Sequence, residues 1–228
     1  RMFSAYKSAI SEFTKGAEGY GFLNEGNLKY VSSLNNIIKY SIARSELKVP
    51  GIFNGENLLT AIAACADTIT QADVEAVATE FTGVSHRCEL VRELDGVKYY
   101  NSSIDSSPNR TIQTLSVFDG NVVMIAGGKD KNIPYDDIGP VICEKVKTLI
   151  LIGPTAEKIE AAVKAYNKFD EKILKILHPN NYKEAVKYAC ENAKSGDCVL
   201  LSPASTSFDL FRNFEERGNT FKELVLEL

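Results

Sequence analysis

Short apolar runs separated by turn residues make up the first part of the chain. From Phe3 to about Val49 this pattern predicts a small set of β-hairpins, with one turn at Asn35-Asn36. An alanine-rich helix is predicted next over residues 58–64, with Asn54 as its N-terminal cap. A second helix is predicted over residues 71–80.

After Thr82-Gly83 the rhythm changes to an alternation of apolar strands and amphipathic helices. The predicted elements are strands 88–93 and 97–101, helix 108–117, strand 122–126, helix 135–145, strand 148–152, helix 155–167, strand 173–177, helix 183–192 and strand 198–201. The run Asn121–Ala126 is apolar after its first residue, as expected when helices cover both faces of a parallel sheet. Residues 83–228 are therefore predicted to form a doubly wound α/β domain.

Composition and charge exclude several classes of protein. With 228 residues, 44% of them hydrophobic and 25% charged, the chain is expected to fold as one large or two small globular domains. Its net charge of −4 is spread evenly, which argues against a nucleic-acid-binding arm. No apolar run approaches the ~20 residues of a membrane span, and no export segment is present, so a cytoplasmic location is expected.

Cysteine usage gives no sign of a disulfide framework or a zinc site. The five cysteines are odd in number and widely spaced. We expect them to be reduced and mostly buried as small hydrophobic residues.

Polar segments follow several predicted strands, where doubly wound sheets bind their ligands. Residues 100–108 combine hydroxyl groups with a helix N-terminus, which suits a carboxylate or phosphate but is also typical of a helix cap. In residues 126–132, two glycines and two lysines offer an anion partner or, alternatively, a solvated turn. The spacing in that segment is not that of a phosphate-binding P-loop.

The segment after the last strand carries hydroxyl and aromatic residues. A helix is predicted there, with Ser207 and Phe208 at its start. The spacing of Phe208, Phe211 and Phe214 is equally typical of a stripe of core residues. His86 follows the inferred domain boundary, where a ligand between domains could be bound. No arrangement typical of a hydrolase can be assembled from spacing.

Taken together, these segments resemble the C-terminal half of the Mur ligases, most closely the branch that adds D-glutamate. The resemblance is carried by residues 50–57 (Pro-Gly-Ile-Phe-Asn-Gly-Glu-Asn), 83–87 (Gly-Val-Ser-His-Arg), 101–108, 127–131 (Gly-Gly-Lys-Asp-Lys) and 201–218, which ends in Asn-Phe-Glu-Glu-Arg-Gly. Three positions depart from the common pattern. Ser102 replaces an aspartate that is associated with the ribose, Ile104 replaces a lysine, and Phe53 replaces a histidine.

The resemblance implies an ATP-dependent amide ligase of peptidoglycan synthesis. In this family ATP phosphorylates the carboxylate of UDP-N-acetylmuramoyl-L-alanine, and the amino group of D-glutamate attacks the acyl phosphate. The residues implied for D-glutamate binding are Ser106, Lys131, Ser207, Phe208 and Phe214. Those implied to lie against ATP are Asn54, Asn57, His86 and Arg87.

The same resemblance implies a division into two domains. Residues 1–82 would be the C-terminal part of a central ATP-binding domain, preserved as β-hairpins and helices, and residues 83–228 a Rossmann-like amino-acid-binding domain. The UDP-binding domain, the P-loop and the magnesium ligands are expected upstream of Arg1. We therefore expect a monomeric fragment that has no catalytic or metal-binding residue of its own and is inactive alone.

Two alternative functions remain open at this point. One is another Mur ligase or a folylpolyglutamate synthase. The other is a Rossmann-like binding module without chemistry.

Overall fold

The computed structural model describes residues 29–34, 37–43, 48–49, 54, 57–58, 61 and 69–228. The chain divides into two compact units, Arg1–Thr82 and Gly83–Leu228. In the first unit, strand β1 (Lys29–Leu34) pairs antiparallel with strand β2 (Ile37–Ala43), which confirms the hairpin predicted around residues 35–36. The rest of the predicted hairpin region before β1 lies outside the described residues.

Helical residues follow the hairpin in the first unit. Asn54 is itself helical, so the prediction that it caps the helix from outside is wrong, because an N-cap has a non-helical backbone. Most of the predicted helix 58–64 lies outside the described residues. Helix α1 (Gln71–Glu80) has the predicted bounds, and Thr70 and Asp73 form a capping box at its start.

The second unit is a six-stranded sheet covered by helices on both faces. Its strands are β3 (Glu89–Leu94), β4 (Val97–Asn101), β5 (Val122–Ala126), β6 (Val146–Leu151), β7 (Lys175–Leu177) and β8 (Cys198–Leu201). Its helices are α2 (Pro108–Leu115), α3 (Ile138–Lys145), α4 (Ala156–Ala165), α5 (Tyr182–Asn192) and α6 (Phe214–Leu226). The strand order is β3-β4-β8-β5-β6-β7, and the doubly wound α/β prediction is confirmed.

The sheet is parallel except at one edge, where strand β3 is antiparallel to its neighbour. Strand β3 runs antiparallel to β4 because only Asp95 and Gly96 connect them, and both have positive φ, +52° and +76°. A two-residue turn of this kind makes a hairpin and is far too short for a parallel crossover.

The apolar strands contribute side chains to two hydrophobic cores, one on each face of the sheet. In β5, Val122 and Met124 pack into the core under α2, α3 and α4, whereas Val123 and Ile125 pack into the core under α5 and α6. Successive side chains of a strand point to opposite faces, so a strand with helices on both sides must be apolar throughout.

The last helix begins later than predicted. Helix α6 starts at Phe214, and Asn213 caps it by accepting a hydrogen bond from the Glu216 N–H at 2.8 Å. Ser207 and Phe208 therefore lie in a turn segment before the helix. Phe208 is 62% exposed, which also rules out the stripe of core phenylalanines.

The described cysteines are free and half-buried, less buried than predicted: Cys88, Cys143, Cys190 and Cys198. Cys65 lies outside the described residues. Across the described part of the chain, no helix combines the length and apolarity needed to cross a membrane.

Candidate active site

The carboxyl ends of three neighbouring parallel strands bring the predicted polar segments together. The Ser102 N–H donates to the Leu201 carbonyl at 2.8 Å, and the Gly127 N–H donates to the Pro203 carbonyl at 2.8 Å. These bonds join the segments after β4, β8 and β5. Their convergence creates one polar surface at the edge where ligands of doubly wound sheets bind.

Two glycines allow the segment after β5 to approach its neighbours closely. A Cβ atom on Gly127 would lie 1.9 Å from the Ile152 carbonyl oxygen, and one on Gly128 would lie 2.2 Å from the Thr206 carbonyl oxygen. Just beyond them, Lys129 and Thr206 exchange backbone hydrogen bonds of 2.9 and 3.2 Å. The segments after β5 and β8 are therefore held as a short antiparallel bridge.

Two of the residues implied for D-glutamate binding meet directly. The Lys131 Nζ donates to the Ser106 Oγ at 3.1 Å, although the two lie in different segments. Ser207 is buried next to the bridge, and its carbonyl accepts hydrogen bonds from the Leu210 and Phe211 N–H groups. The segment around residue 207 thus forms a turn after β8. Lys131 and Ser106 belong to the segments that follow the two neighbouring strands, β5 and β4.

The two phenylalanines of the implied site have different surroundings. Phe208 is exposed, whereas Phe214 is half-buried. The Phe214 ring packs edge-on against His86, with ring centroids 5.9 Å apart.

His86 lies inside the second unit. Its Nδ1 is 2.9 Å from the Asn101 Nδ2, and its backbone N–H donates to the Glu89 Oε2 at 2.9 Å. Burial lowers the pKa of His86, so the neutral imidazole is favoured. A Cβ on Gly218 would lie 2.2 Å from the same Nδ1, so glycine is required for the ring to pack there.

The other residues implied to lie against ATP fall in both units. Arg87 is half-buried in the second unit, and burial lowers the pKa of its guanidinium. Asn54 and Asn57 belong to the first unit, where Asn54 is half-buried and Asn57 is exposed.

A buried hydroxyl cluster lies beneath the glycine segment. The Ser205 Oγ is 2.9 Å from the Tyr135 OH and 2.7 Å from the Thr155 Oγ1, which also donates to the Gly128 carbonyl at 3.1 Å. Ala204, next to Ser205, has a φ of +55°. Such a backbone is uncommon for alanine and persists only where the surroundings hold it.

Sequence reasoning missed this cluster, and it also missed Asp105 and Arg217. Residue spacing gives no signal for the hydroxyl cluster, because Tyr135, Thr155 and Ser205 lie on separate segments of the chain. Asp105 is 3% exposed and accepts a hydrogen bond from the Ser202 Oγ at 2.8 Å. Burial raises the pKa of Asp105, although hydrogen bonds from Ser102, Thr114 and Ser202 oppose the shift.

The raised pKa of Asp105 predicts a specific pH dependence of stability. Because the folded pKa lies above the unfolded value of 3.8, the carboxyl stabilises the fold fully below that value. This contribution is lost as the pH rises through the folded pKa. We expect the unfolding free energy of the wild type to fall, relative to Asp105→Asn, as the pH is raised from below 3.8 towards neutrality.

Urea unfolding across this pH range measures the effect. Asp119→Asn, at an exposed carboxylate, is the matched control and should run parallel to the wild type. Parallel curves for Asp105→Asn and the wild type would contradict the prediction.

The described residues do not fit a metal ion. They contain no group of three or more His, Cys, Asp or Glu side chains that could hold one. The chemistry available at this site is anion binding through lysine, hydroxyl groups and helix or turn N–H groups.

Known proteins resemble the chain in both sequence and fold. It is 51% identical over 212 residues to the UDP-N-acetylmuramoylalanine--D-glutamate ligase of Ruminiclostridium cellulolyticum, covering 90% of this chain and 46% of the relative. The enzyme of the same name from Acetivibrio thermocellus is 54% identical over 183 residues, covering 79% of this chain and 39% of the relative. The chain therefore spans about half the length or less of these curated relatives.

Among solved structures, the UDP-N-acetylmuramate-alanine ligase MurC of Thermotoga maritima matches with a TM-score of 0.63 and 16% identity, over 88% of this chain and 43% of that one. At this identity the match shows the fold alone. The sequence also matches the family described as "Mur ligase, glutamate ligase domain" over residues 86–205, more than half of the chain. The chain belongs to the Mur ligase family, through its glutamate ligase domain.

Proposed function

We propose that the second unit binds D-glutamate at the carboxyl edge of its sheet. We further propose that it serves an ATP-dependent ligase that joins this amino acid to UDP-N-acetylmuramoyl-L-alanine in peptidoglycan synthesis. The observation that carries the proposal is the meeting of the Lys131 ammonium with the Ser106 hydroxyl, 3.1 Å apart, at the strand ends. The relatives bearing the name of such a ligase support the choice of amino acid.

The geometry suits a small dicarboxylate amino acid. Lys131 is exposed and can pair with one carboxylate, while the Ser106 hydroxyl donates to the same group. The turn at Ser207 supplies hydroxyl and N–H donors for the other carboxylate. Phe208 and Phe214 cover the methylene groups, which leaves the amino group as the nucleophile.

ATP and the UDP-linked substrate need more than this site. Asn54, Asn57, His86 and Arg87 are proposed to face ATP, and residues 1–82 are proposed to belong to its binding domain. The chain has no G-x-x-x-x-G-K-[ST] segment, and the described residues offer no metal site. We therefore assign no step of phosphoryl transfer and no magnesium ligand to them.

Titration of D-glutamate into the ¹⁵N-labelled chain tests the binding site. We expect saturable amide shifts in residues 102–108, 127–132 and 203–208, with weak affinity because the chain spans only 46% and 39% of the two ligases that bear this name. L-Glutamate and D-alanine should cause smaller shifts at the same concentration. An equal response to all three amino acids, or none to D-glutamate, would contradict the proposal.

A chimera tests the ligase function. The part of the R. cellulolyticum relative that precedes the match is joined to this chain, and release of ADP is measured with UDP-N-acetylmuramoyl-L-alanine and D-glutamate. We expect ADP release by the chimera but not by the chain alone. A folded chimera that binds D-glutamate without turnover would favour a binding module without chemistry, and a preference for another amino acid would favour another ligase of this fold.

A further inference from the structure

We propose that Arg217 is the positioning residue of the D-glutamate site: its buried guanidinium sets the distance between the segments that bind the amino acid. This inference rests on the proposed function. It concerns a side chain that does not touch the ligand and acts through Ser103 and Ser205.

The guanidinium joins two of the three site segments. Arg217 is 2% exposed, and its Nη2 donates to the Ser103 carbonyl at 2.8 Å while its Nε donates to the Ser103 Oγ at 3.0 Å. Its Nη1 donates to the Ser205 carbonyl at 3.1 Å. Ser103 follows β4 and Ser205 follows β8, so one planar group fixes the relative position of both segments.

The same side chain also reaches the remaining parts of the site. A Cβ on Gly128 would lie 3.3 Å from the Arg217 Nη1, so the guanidinium lies directly beside the glycine segment after β5. The Ser103 Oγ, which accepts from Arg217, donates in turn to the Phe214 carbonyl at 2.8 Å. The start of α6, and with it Phe214, is therefore tied to the same group.

Stability alone is a poor reason for a cation at this position. Among the described residues no carboxylate forms an ion pair with Arg217, and the guanidinium bonds only to neutral oxygens. Burying a charge is costly, and a well-packed apolar side chain usually stabilises a core as well or better. The Asp209 and Asp105 carboxylates favour the charged form of Arg217, but neither accepts a hydrogen bond from it. A buried guanidinium that bonds to the carbonyls of two site segments is instead suited to fix the distance between them.

Lysine cannot replace this group, although it keeps the charge. Arginine holds its donors in a rigid planar fork, whereas the lysine ammonium is a point charge on a flexible stem. Arg217→Lys should leave at least one of the Ser103 and Ser205 carbonyls without its donor. The two segments would then lose their fixed spacing.

The test compares the D-glutamate Kd of the wild type, Arg217→Lys and Arg92→Lys. Arg92 is a matched control because its Nη1 also donates to backbone carbonyls, those of Val225 and Leu226, but at the far end of α6. For folded protein we expect the Kd to rise at least about tenfold in Arg217→Lys, since displacing one donor from a carboxylate of the ligand corresponds to a loss of roughly 10- to 150-fold in affinity. Arg92→Lys should bind like the wild type.

The outcomes separate the two proposals. A purely structural role of Arg217 would lower the unfolding free energy without changing the Kd of the molecules that remain folded, and that result overturns the inference alone. Absence of D-glutamate binding by the wild type overturns the proposed function and this inference with it. If Arg217→Lys does not fold, the test uses Ser103→Ala, which removes the hydroxyl that accepts from the Arg217 Nε. An unchanged D-glutamate Kd in Ser103→Ala overturns the inference.

Discussion

Lys131→Met is expected to remove the measurable response of the chain to D-glutamate while leaving its stability nearly unchanged. The ammonium is exposed and bonds only to the Ser106 hydroxyl among the described residues, so folding depends little on it. A hydrogen bond to a charged group contributes about 1.5–3 kcal/mol, which corresponds to a loss of roughly 10- to 150-fold in affinity. At a D-glutamate concentration near the Kd of the wild type, such a loss leaves few sites occupied, so the amide shifts almost disappear.

Lys168→Met is the matched control for this experiment. Lys168 is also exposed, but it follows α4, a helix that starts at the carboxyl ends of the strands and ends at the opposite edge of the sheet. Its removal changes the net charge equally and should leave the D-glutamate shifts intact. Equal losses in both variants would show a general effect of charge and would remove Lys131 from the site.

Gly128→Ala is expected to destabilise the second unit by about 3 kcal/mol or more and to abolish D-glutamate binding in the molecules that stay folded. Gly128 has a φ of +145°, which side chains rarely adopt, and the added Cβ would lie 2.2 Å from the Thr206 carbonyl oxygen. Backbone cannot move aside cheaply, so the bridge between Lys129 and Thr206 must open. Urea unfolding and the D-glutamate titration measure the two effects.

Gly120→Ala separates the two causes of this loss. Gly120 has a similar φ of +149° but no neighbouring heavy atom within 4 Å of the added Cβ. Gly120→Ala introduces the backbone strain without the steric collision. It should therefore lower the unfolding free energy clearly less than Gly128→Ala does. Similar losses at both positions would mean that close approach of the site segments contributes little.

The match to the MurC structure and the sequence matches answer different questions. At 16% identity the likeness to MurC shows a fold that ligases with different substrates share. The relatives that are 51% and 54% identical carry the name of a D-glutamate ligase, which supports the proposal of that amino acid. The chimera experiment is therefore the one that decides between members of the fold.

Most elements of the second unit could be predicted because their signals are local. The run Val122–Ala126 is apolar at every position, and the structure has a strand with the same bounds. The start of α6 could not be predicted in this way, because several residues between 207 and 213 suit the N-cap position of a helix. Asn213 is the cap because its side chain reaches the Glu216 N–H, whereas residues 207–211 are held in a turn.

The residues of the candidate site also differ in whether the local sequence predicts them. Lys131, Ser106 and Ser207 could be proposed from sequence, because residues after parallel strands gather at one edge of the sheet. Asp105 and Arg217 could not, because a charged residue gives no local sign that it will be buried. Their buried partners are distant along the chain: Asp105 accepts from Ser202, 97 residues away, and Arg217 donates to Ser103, 114 residues away.

The amino-acid sequence by itself determined the α/β class of the second unit, the polar strand-end segments and the resemblance to an ATP-dependent ligase, because apolar periodicity and motif spacing are properties of neighbouring residues. Only the tertiary structure decided the strand order that joins those segments, the antiparallel edge strand, the late start of α6 and the buried guanidinium of Arg217. These depend on which distant backbone groups come within hydrogen-bonding distance after the two cores close. Burial then determines the charge that each side chain can hold and the ligand that its segment can bind.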